Sequence, residues 1–265
     1  MLSIPIYQVD AFADKIFGGN PAAVCILNEE LSEATMLKIA AENNLAETAF
    51  VFQKGSDYYI RWFTPEVEVE LCGHATLASA HVLFNHLNVF SSQLVFKSGR
   101  GTLTVTKQND LLVLNFPTDE VLKCECPEVL YNAFGKPPLE TYKGLTDYML
   151  VFDSESFISE LIPDMQKINQ LKARGVIVTA QGNSVDFVSR FFAPQSGISE
   201  DPVTGSAHTT LIPYWAGKLN KNQLKAIQLS SRKGYLDCKY LGERVEIAGK
   251  AVTYLIGEIF IPQEV

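Results

Sequence analysis

Basic residues are scarce in this chain of 265 residues, which has 22 Lys and Arg against 30 Asp and Glu and a net charge of -8. Proteins that bind nucleic acids neutralise phosphates with clustered Lys and Arg, so a nucleic-acid partner is not expected. The sequence also lacks an apolar run of membrane-spanning length, and residues 1–7 have no basic region that would open a signal peptide. We therefore expect a cytoplasmic protein that does not bind a membrane.

Cysteine is scarce as well. The five cysteines are an odd number at irregular spacing, which does not match a disulfide framework. The one close pair, Cys124 and Cys126, is a poor metal motif by itself, and two loop thiols are the simpler interpretation. The sequence thus predicts no metal site.

One segment of the sequence occurs twice. Arg-Trp-Phe-Thr-Pro (61–65) leads to Leu-Cys-Gly-His-Ala-Thr (71–76), and Arg-Phe-Phe-Ala-Pro (190–194) leads to Glu-Asp-Pro-Val-Thr-Gly-Ser-Ala-His (200–208). The copies share Arg-x-Phe-x-Pro and Gly-x-Ala, and the second has a three-residue insertion to which we assign Asp201. A Ser-x-x-Gly-x-Leu motif follows each copy, at 98–103 and 231–236. Because the flanks agree, we infer an internal duplication that gives two similar lobes with a site between them.

Each half is predicted to run from a strand through a glycine-marked bend into a helix and then a hairpin. Ser32 is a suitable N-cap for a helix that ends near Asn43. Pro163 should break a helix over 159–173, and Pro213 should kink the helix over 209–218. The remaining predicted elements are strands over 4–12, 22–27, 49–53, 58–63, 148–153, 176–180 and 185–192, and a buried apolar helix over 75–87.

The segment over 119–143 has several prolines and little periodicity, and we expect it to cross between the lobes. The lobes are therefore assigned to residues 1–118 and 119–265. A return of the final strand to the first lobe is left open.

The glycines of both copies lie where a strand leads into a helix. Unpaired backbone N–H groups at such helix starts bind anions, so a matched pair near Gly73 and Gly205 favours a small carboxylate-bearing ligand. Taken singly, each glycine is better explained as a residue that only eases a tight turn.

Glu47 lies among small and apolar neighbours between a helix end and a strand. A carboxyl group shielded from water there would suit a general acid or base, although capping of the backbone or exposure to solvent is the plainer alternative. Asp201 has the same ambiguity, with capping as its alternative role. His74, at the first helix start, could donate to a carboxylate or carry a proton.

Cys72 precedes Gly73, where a helix start would lower the pKa of a thiol and make it reactive. A buried, unreactive cysteine is the interpretation that we favour. The matching position in the second copy is Thr204, which argues against a symmetric mechanism with two thiols.

Four motifs together resemble the phenazine biosynthesis PhzF-like family, which is related in fold to diaminopimelate epimerase. They cover nearly the whole chain in the family's order: Phe-Gly-Gly-Asn-Pro-Ala-Ala-Val (17–24), Leu-Ala-Glu-Thr-Ala-Phe (45–50), Leu-Cys-Gly-His-Ala-Thr-Leu-Ala (71–78) and residues 200–208. The resemblance implies an α+β fold of two pseudo-symmetric lobes. Each lobe would be a curled, mostly antiparallel sheet or barrel around a central helix, with the active site in the interlobe cleft. A homodimer without a cofactor is also implied.

The resemblance further implies roles for individual residues. Glu47 matches the glutamate that moves a proton along a cyclohexadiene amino acid, and His74 and Asp201 match the residues that hold and polarise the substrate. The epimerase branch uses two opposed cysteines, which Cys72 and Thr204 would replace here. The substrate-binding positions implied are Asn20, Gly73, Ala75, Gly205 and Ser206.

These arguments lead to one main hypothesis and two alternatives. The chain is predicted to be a cofactor-independent isomerase that moves a proton within a small carboxylate, either an amino acid or a cyclic dienoate, with Glu47 as acid and base. The first alternative is a protein that binds or senses such a carboxylate without turning it over. The second is a Cys72-dependent epimerase or a thiol hydrolase that uses Cys72 with His74.

Overall fold

The computed structural model describes residues 1–99 and 101–262 and divides the chain into two compact units. The first unit consists of Met1–Asn115 together with the segment that begins at Ala248, and the second is Phe116–Ile247. The segment that begins at Ala248 joins the first unit, which agrees with the return of the final strand that the sequence analysis left open. Arg100, which belongs to the first Ser-x-x-Gly-x-Leu motif, lies outside the described residues.

The first unit is a mixed sheet with two helices. Its elements are β1 (Leu2–Ala11), β2 (Asn20–Leu27), α1 (Glu33–Asn43), β3 (Glu47–Lys54), β4 (Asp57–Phe63), β5 (Glu68–Val69), α2 (Gly73–Asn85), β6 (Gln93–Ser98), β7 (Gly101–Gln108) and β8 (Leu111–Pro117). The pairs β2–β3 and β4–β6 are parallel. The pairs β1–β2, β3–β4, β4–β5, β6–β7 and β7–β8 are antiparallel, so the sheet is mostly antiparallel.

The second unit repeats this order. Its elements are β9 (Leu122–Lys123), α3 (Glu128–Phe134), β10 (Glu140–Lys143), β11 (Asp147–Val151), α4 (Glu155–Glu160), α5 (Met165–Ile168), β12 (Gly175–Gln181), β13 (Phe187–Ala193), a 3-10 turn (Pro194–Ser196), β14 (Ile198–Asp201), α6 (Gly205–Leu219), β15 (Gln223–Gln228), β16 (Gly234–Tyr240) and β17 (Arg244–Gly249). Here β11–β12 and β13–β15 are the parallel pairs, in the places of β2–β3 and β4–β6. The predicted sequence of strand, bend, helix and hairpin is thus confirmed in both units.

In each unit, one strand comes from the segment that follows the other repeat in the sequence. The last strand, β18 (Ala251–Ile261), pairs with β1 along almost its whole length, with Leu2 opposite Ile261. The short strand β9, which follows β8, pairs with β10 at the start of the second unit. Strand β9 thus follows the eight strands of the first repeat but belongs to the second unit. Strand β18 follows the eight strands of the second repeat but pairs in the first unit.

Helix α2 lies at the centre of the first unit. Ten of its 13 residues are buried, and it packs against β1, β2, β3, β7 and β18. Side chains on a strand alternate between faces, so β2 contributes Ala23 and Cys25 to a core with α1 and directs Ala22 and Val24 to the opposite face, toward α2. Strands buried on both faces explain the nearly continuous apolar sequence over 22–27.

Two predictions for the second half need correction, and a third is untested. The segment 119–143 is not a featureless crossing, because it contains β9, α3 and β10 within the second unit. The helix predicted over 159–173 is instead two short helices, α4 and α5, and the break predicted at Pro163 is confirmed between them. Pro213 does lie inside α6. Because proline has no N–H, it cannot donate to the carbonyl oxygen of Thr209 one turn earlier, and that oxygen accepts from the N–H of Asp119 at 3.2 Å instead. The kink at Pro213 stays a prediction.

Among the described residues, no helix has the length and apolar character needed to cross a membrane.

Candidate active site

Glu47 and His74 lie together in the first unit although they are far apart in the sequence. Glu47 is the first residue of β3, where it pairs with Ala22 of the parallel strand β2. His74 is the second residue of α2 and only 4% exposed. The Nε2 atom of His74 is 3.2 Å from Oε2 of Glu47, whose side chain is 14% exposed. The first residue of β3 and the first turn of α2 thus bring an acid and a base together, largely shielded from solvent.

Two further predicted residues surround the ring of His74. The Nδ2 atom of Asn20, which is fully buried at the start of β2, lies 3.2 Å from Nδ1 of His74. The sulfur of Cys72 is 3.5 Å from Nδ1 and 4.0 Å from Nε2. The ring is therefore fixed on both sides, and the four residues form one buried group, which we call the Glu47–His74 cluster (Asn20, Glu47, Cys72 and His74).

The protonation of this cluster follows from burial and charge. Burial disfavours the charged ring of His74, but the neighbouring Cys72 and Glu47 outweigh it, and the pKa of His74 is raised well above its usual value. Burial first, and the charge of Glu47 second, raise the pKa of the Cys72 thiol. The contacts of His74 with Cys72 and Glu47 thus favour the protonated ring over the neutral one.

The expectation that a helix start lowers the pKa of Cys72 is therefore wrong. Cys72 is buried, and the loss of hydration outweighs the favourable field of the helix N-terminus. The structure agrees with the favoured interpretation of a buried, unreactive thiol.

Helices α2 and α6 begin in the same unusual way. Ser32 caps α1 by accepting a hydrogen bond from the N–H of Thr35 at 3.3 Å, whereas Cys72 and Thr204, the N-cap residues of α2 and α6, form no side-chain cap. Gly73 and Gly205 are the first residues of these helices, as predicted. Ala75 and Ser206 lie in the same first turns. Helix starts that lack a capping side chain present their N–H groups to an anion.

In the second unit, Asp201 and Thr204 are tied to each other. The hydroxyl of Thr204 donates to Oδ2 of Asp201 at 2.5 Å. Gln228, fully buried on β15, accepts from the N–H of Thr204 at 2.8 Å and donates to the carbonyl oxygen of Asp201 at 2.7 Å. Ser230 donates to the same carbonyl at 3.1 Å. Because the Thr204 hydroxyl is engaged with Asp201, it is not placed to act as the second base of a racemase.

Ser206 is also held in place. Its hydroxyl oxygen accepts from Nη1 of Arg174 at 3.0 Å, and Arg174 pairs through Nε and Nη2 with the buried carboxylate of Asp147. Asp147, on β11, thus holds the positively charged side chain of Arg174 beside the start of α6. Nothing in the sequence distinguishes Arg174, Asp147 or Gln228 from structural residues, because their role depends on strands that the chain order does not reveal.

The assignment of Asp201 to the insertion in the second copy is wrong. In the first repeat Val69 pairs with Trp62, and in the second Asp201 pairs with Phe191, the equivalent of Trp62. Asp201 therefore occupies the place of Val69. The three additional residues fall instead in the stretch that contains the 3-10 turn at 194–196.

Comparisons with known proteins agree with these observations. The family model PhzC-PhzF, described as phenazine biosynthesis-like protein, matches residues 9–257. A Pseudomonas aeruginosa protein described as an uncharacterized isomerase is 49% identical over 260 residues, which cover 98% of this chain and 100% of that protein.

Solved structures show the same fold. A crystal structure of a PhzF-family phenazine biosynthesis protein from Enterococcus faecalis matches with a TM-score of 0.96 and 47% identity, covering 98% of this chain and 100% of that one. A predicted epimerase from Pseudomonas aeruginosa matches with a TM-score of 0.72 at 20% identity over 98% of this chain and 100% of its own. The predicted α+β, epimerase-like fold class is confirmed.

Proposed function

The chain belongs to the phenazine biosynthesis-like PhzC-PhzF family, and on this premise we propose that it is a cofactor-independent isomerase that moves a proton within a small carboxylate substrate. The family relationship and the isomerase relatives support the reaction class. The observation that supports Glu47 as the acid and base is its buried contact with His74, 3.2 Å from Nε2 to Oε2.

The proposed reaction begins with removal of a proton from a substrate carbon by the carboxylate of Glu47. The same group then returns the proton to another carbon. A carboxylate is a weak base for a carbon-bound proton, so the substrate needs a conjugated system or another activating group. Amino acids with such a group and cyclic dienoates meet this requirement.

We propose that His74 supports this step through its charge. A protonated ring beside Glu47 stabilises negative charge on the substrate carboxylate as the proton leaves. Asn20 and Cys72 keep the ring in position. In this proposal the N–H groups at Gly73 and Ala75 bind substrate oxygens, as do Gly205 and Ser206 in the second unit, and Asp201 orients a polar substrate group.

A homodimer is part of the proposal. Large apolar side chains on one side of β18 are exposed: Tyr254 by 48%, Ile256 by 62% and Phe260 by 61%. Phe17, exposed by 66%, adds its ring 5.7 Å from that of Tyr254. An apolar patch of this kind is typical of a surface that binds another protein, and we propose a second copy of this chain as the partner.

The test is incorporation of solvent deuterium, measured by NMR, into candidate amino acids and cyclic dienoates. Wild-type protein should exchange a carbon-bound proton of its substrate, and Glu47→Gln should lower the rate by at least about 100-fold, in line with loss of a general base. Glu42→Gln, an exposed position on α1, is the matched control. Full exchange by Glu47→Gln would contradict the role of Glu47. Tight binding without exchange by the wild type would instead favour the carboxylate-binding alternative.

A further inference from the structure

Arg174 contacts the start of α6 through one nitrogen. Its Nη1 donates to the hydroxyl oxygen of Ser206 at 3.0 Å, while Nε donates to Oδ1 of Asp147 at 2.9 Å and Nη2 donates to Oδ2. Asp147 is buried, so its carboxylate holds this edge of the guanidinium in a fixed place. The two-pronged edge that would bind a carboxylate or phosphate ligand is therefore occupied. Arg174 is placed to act on a ligand through Ser206 rather than directly.

The packing of Arg174 fixes the direction of its guanidinium as well. Its Cζ atom lies 5.3 Å from the centroid of the Phe191 ring, which attracts a cation through its π face. That ring approaches the backbone of Gly175 so closely that an added Cβ would clash with it. The backbone N–H of Arg174 donates to the carbonyl oxygen of Thr146 at 2.9 Å. The side chain is thus held on one edge and one face, which leaves Nη1 directed at Ser206.

This contact determines how the Ser206 hydroxyl is used. A guanidinium has only donors, so the serine oxygen is the acceptor and its own proton points to another atom. Ser206 is half-buried, and no acceptor for that proton is found among residues 1–99 and 101–262. A cation that donates to a hydroxyl oxygen strengthens the hydrogen bond that the hydroxyl donates in turn. Ser206 thus presents a polarised O–H donor in the first turn of α6.

The first unit has an equivalent contact. His74 and Ser206 are each the second residue of their helix, and Glu47 and Gly175 are the first residues of the equivalent strands β3 and β12. Arg174, directly before Gly175, contacts Ser206 as Glu47 contacts His74. Both repeats therefore place a charged side chain from this strand start against the same helix position, with the sign of the charge reversed.

The reversed charge suits the second half of the same reaction. Removal of a proton by the carboxylate of Glu47 leaves negative charge on the substrate. A donor that is polarised by a cation stabilises such charge, and it accelerates the reaction because its hydrogen bond is stronger in the transition state than in the ground state.

We propose that Arg174 is a positioning residue of the isomerase. It holds and polarises the Ser206 hydroxyl, which donates to a substrate oxygen that gains negative charge as the proton leaves carbon. Asp147 in turn orients Arg174. The substrate therefore has an oxygen in conjugation with the carbon that loses the proton. This role rests on the proposed function.

The test is solvent deuterium exchange by Arg174→Gln, Ser206→Ala and the double variant, with kcat and KM determined separately. Ser206→Ala should lower kcat by about 100-fold with little change in KM, as loss of an oxyanion donor does. Arg174→Gln should lower kcat by about 10-fold, the effect of one hydrogen bond to a charged group. The double variant should be no slower than Ser206→Ala, because Arg174 acts through that hydroxyl.

Two further variants control this comparison. Arg244→Gln removes an exposed arginine on β17 of the same unit and should leave kcat and KM unchanged. Arg174→Lys should behave like Arg174→Gln, since an ammonium group does not reproduce the planar fork that joins Asp147 to Ser206. Circular dichroism checks that each variant is folded, and Arg174→Lys replaces Arg174→Gln in the cycle if the latter is not.

The outcomes separate this role from the proposed function. Unchanged kcat in Arg174→Gln, a loss confined to KM, or losses that multiply to about 1000-fold in the double variant would overturn the role of Arg174 and leave the isomerase standing. Absence of exchange by the wild type with every candidate substrate would count against the isomerase itself, and with it against this role.

Discussion

Arg190 and Glu200 form a two-pronged ion pair, in which Nε and Nη2 of the arginine donate to the two carboxylate oxygens at 2.7 and 2.8 Å. Arg61 binds Glu68 in the same way in the first repeat, with both distances 2.7 Å. The repeated arginine thus has a physical explanation. It clamps the short strand that leads into α2 or α6 to the preceding long strand.

The two clamps should differ in their contribution to stability. Arg190 is 12% exposed and also donates to the carbonyl oxygens of Ile158 and Leu161, whereas the pair of Arg61 and Glu68 is closer to solvent. Lysine cannot form the two-pronged pair. We expect Arg190→Lys to lower the free energy of unfolding by about 2 kcal/mol and Arg61→Lys by less than about 1 kcal/mol. Urea unfolding measures both, and equal losses would contradict the difference in burial.

The raised pKa of His74 should be visible by NMR. The sequence has only four histidines, so the ring signals are readily assigned with His74→Gln. The His74 ring should stay protonated above its ordinary pKa of about 6.5, while His81, whose pKa is lowered to about 4 mainly by burial, should be neutral at pH 6. Glu47→Gln should lower the pKa of His74.

This titration has a defined effect on stability. Because the pKa of His74 is higher in the folded than in the unfolded protein, its contribution to stability is complete below about pH 6.5 and is lost as the pH rises through the folded-state pKa. The unfolding free energy of the wild type should therefore fall more steeply on the alkaline side than that of His74→Gln. Parallel curves would show that the ring does not gain a proton on folding.

His208 should have the opposite dependence on pH. Its pKa is lowered to about 4 because the ring is fully buried. The hydrogen bond that Nδ1 donates to the carbonyl oxygen of Thr204 at 2.8 Å only partly opposes this shift. Between about pH 6.5 and about pH 4 the histidine binds a proton in the unfolded chain but not in the native protein. Acidification over this range therefore removes up to about 3 kcal/mol of stability. His208→Asn can keep the hydrogen bond but does not titrate. Its unfolding free energy should fall less over this range.

Gly234 should not tolerate a side chain. A Cβ atom at this position would lie 2.2 Å from Cγ2 of Val203, in the turn that holds Asp201 and Thr204. We expect Gly234→Ala to displace that turn, costing about 1 to 3 kcal/mol of stability and lowering activity. Gly217→Ala in α6 is the control, because nothing lies within 4 Å of its added Cβ and alanine favours a helix. Equal behaviour of the two variants would contradict the close contact.

The exposed patch on β18 provides a test of the proposed dimer. Ile256→Asp should convert the protein to a monomer in sedimentation velocity, because a charge in an apolar interface is costly. Leu145→Asp, at an exposed position of the second unit, should leave the sedimentation coefficient unchanged. A wild-type monomer at all concentrations would refute the dimer.

The sequence predicted most of what depends on local pattern. The duplicated motifs correctly placed Gly73 and Gly205 at helix starts and made Cys72 equivalent to Thr204, because these positions are fixed by short-range backbone requirements. The contact of Glu47 with His74 could not be predicted from spacing, since it depends on β3 lying beside β2 and next to the start of α2; the family resemblance alone pointed to it.

Other features could not be predicted from the sequence, for physical reasons. Gln228 is a buried polar residue at the end of β15 and Arg174 lies in a loop, so neither has a periodicity that marks it. The position of Asp201 was misjudged because copies aligned on glycines and prolines do not show where an insertion lies, whereas the pairs Arg61–Glu68 and Arg190–Glu200 do.

The pairing of β1 with β18 constrains how the protein can be made. Strand β1 pairs with a strand that follows the whole second unit in the sequence, so the first unit cannot complete its sheet until β18 has been synthesised. The second unit, whose β9 and β10 are close in sequence, meets no such delay. Nascent chains should therefore acquire a stable second unit before the first, which reverses the usual N-to-C order of domain folding.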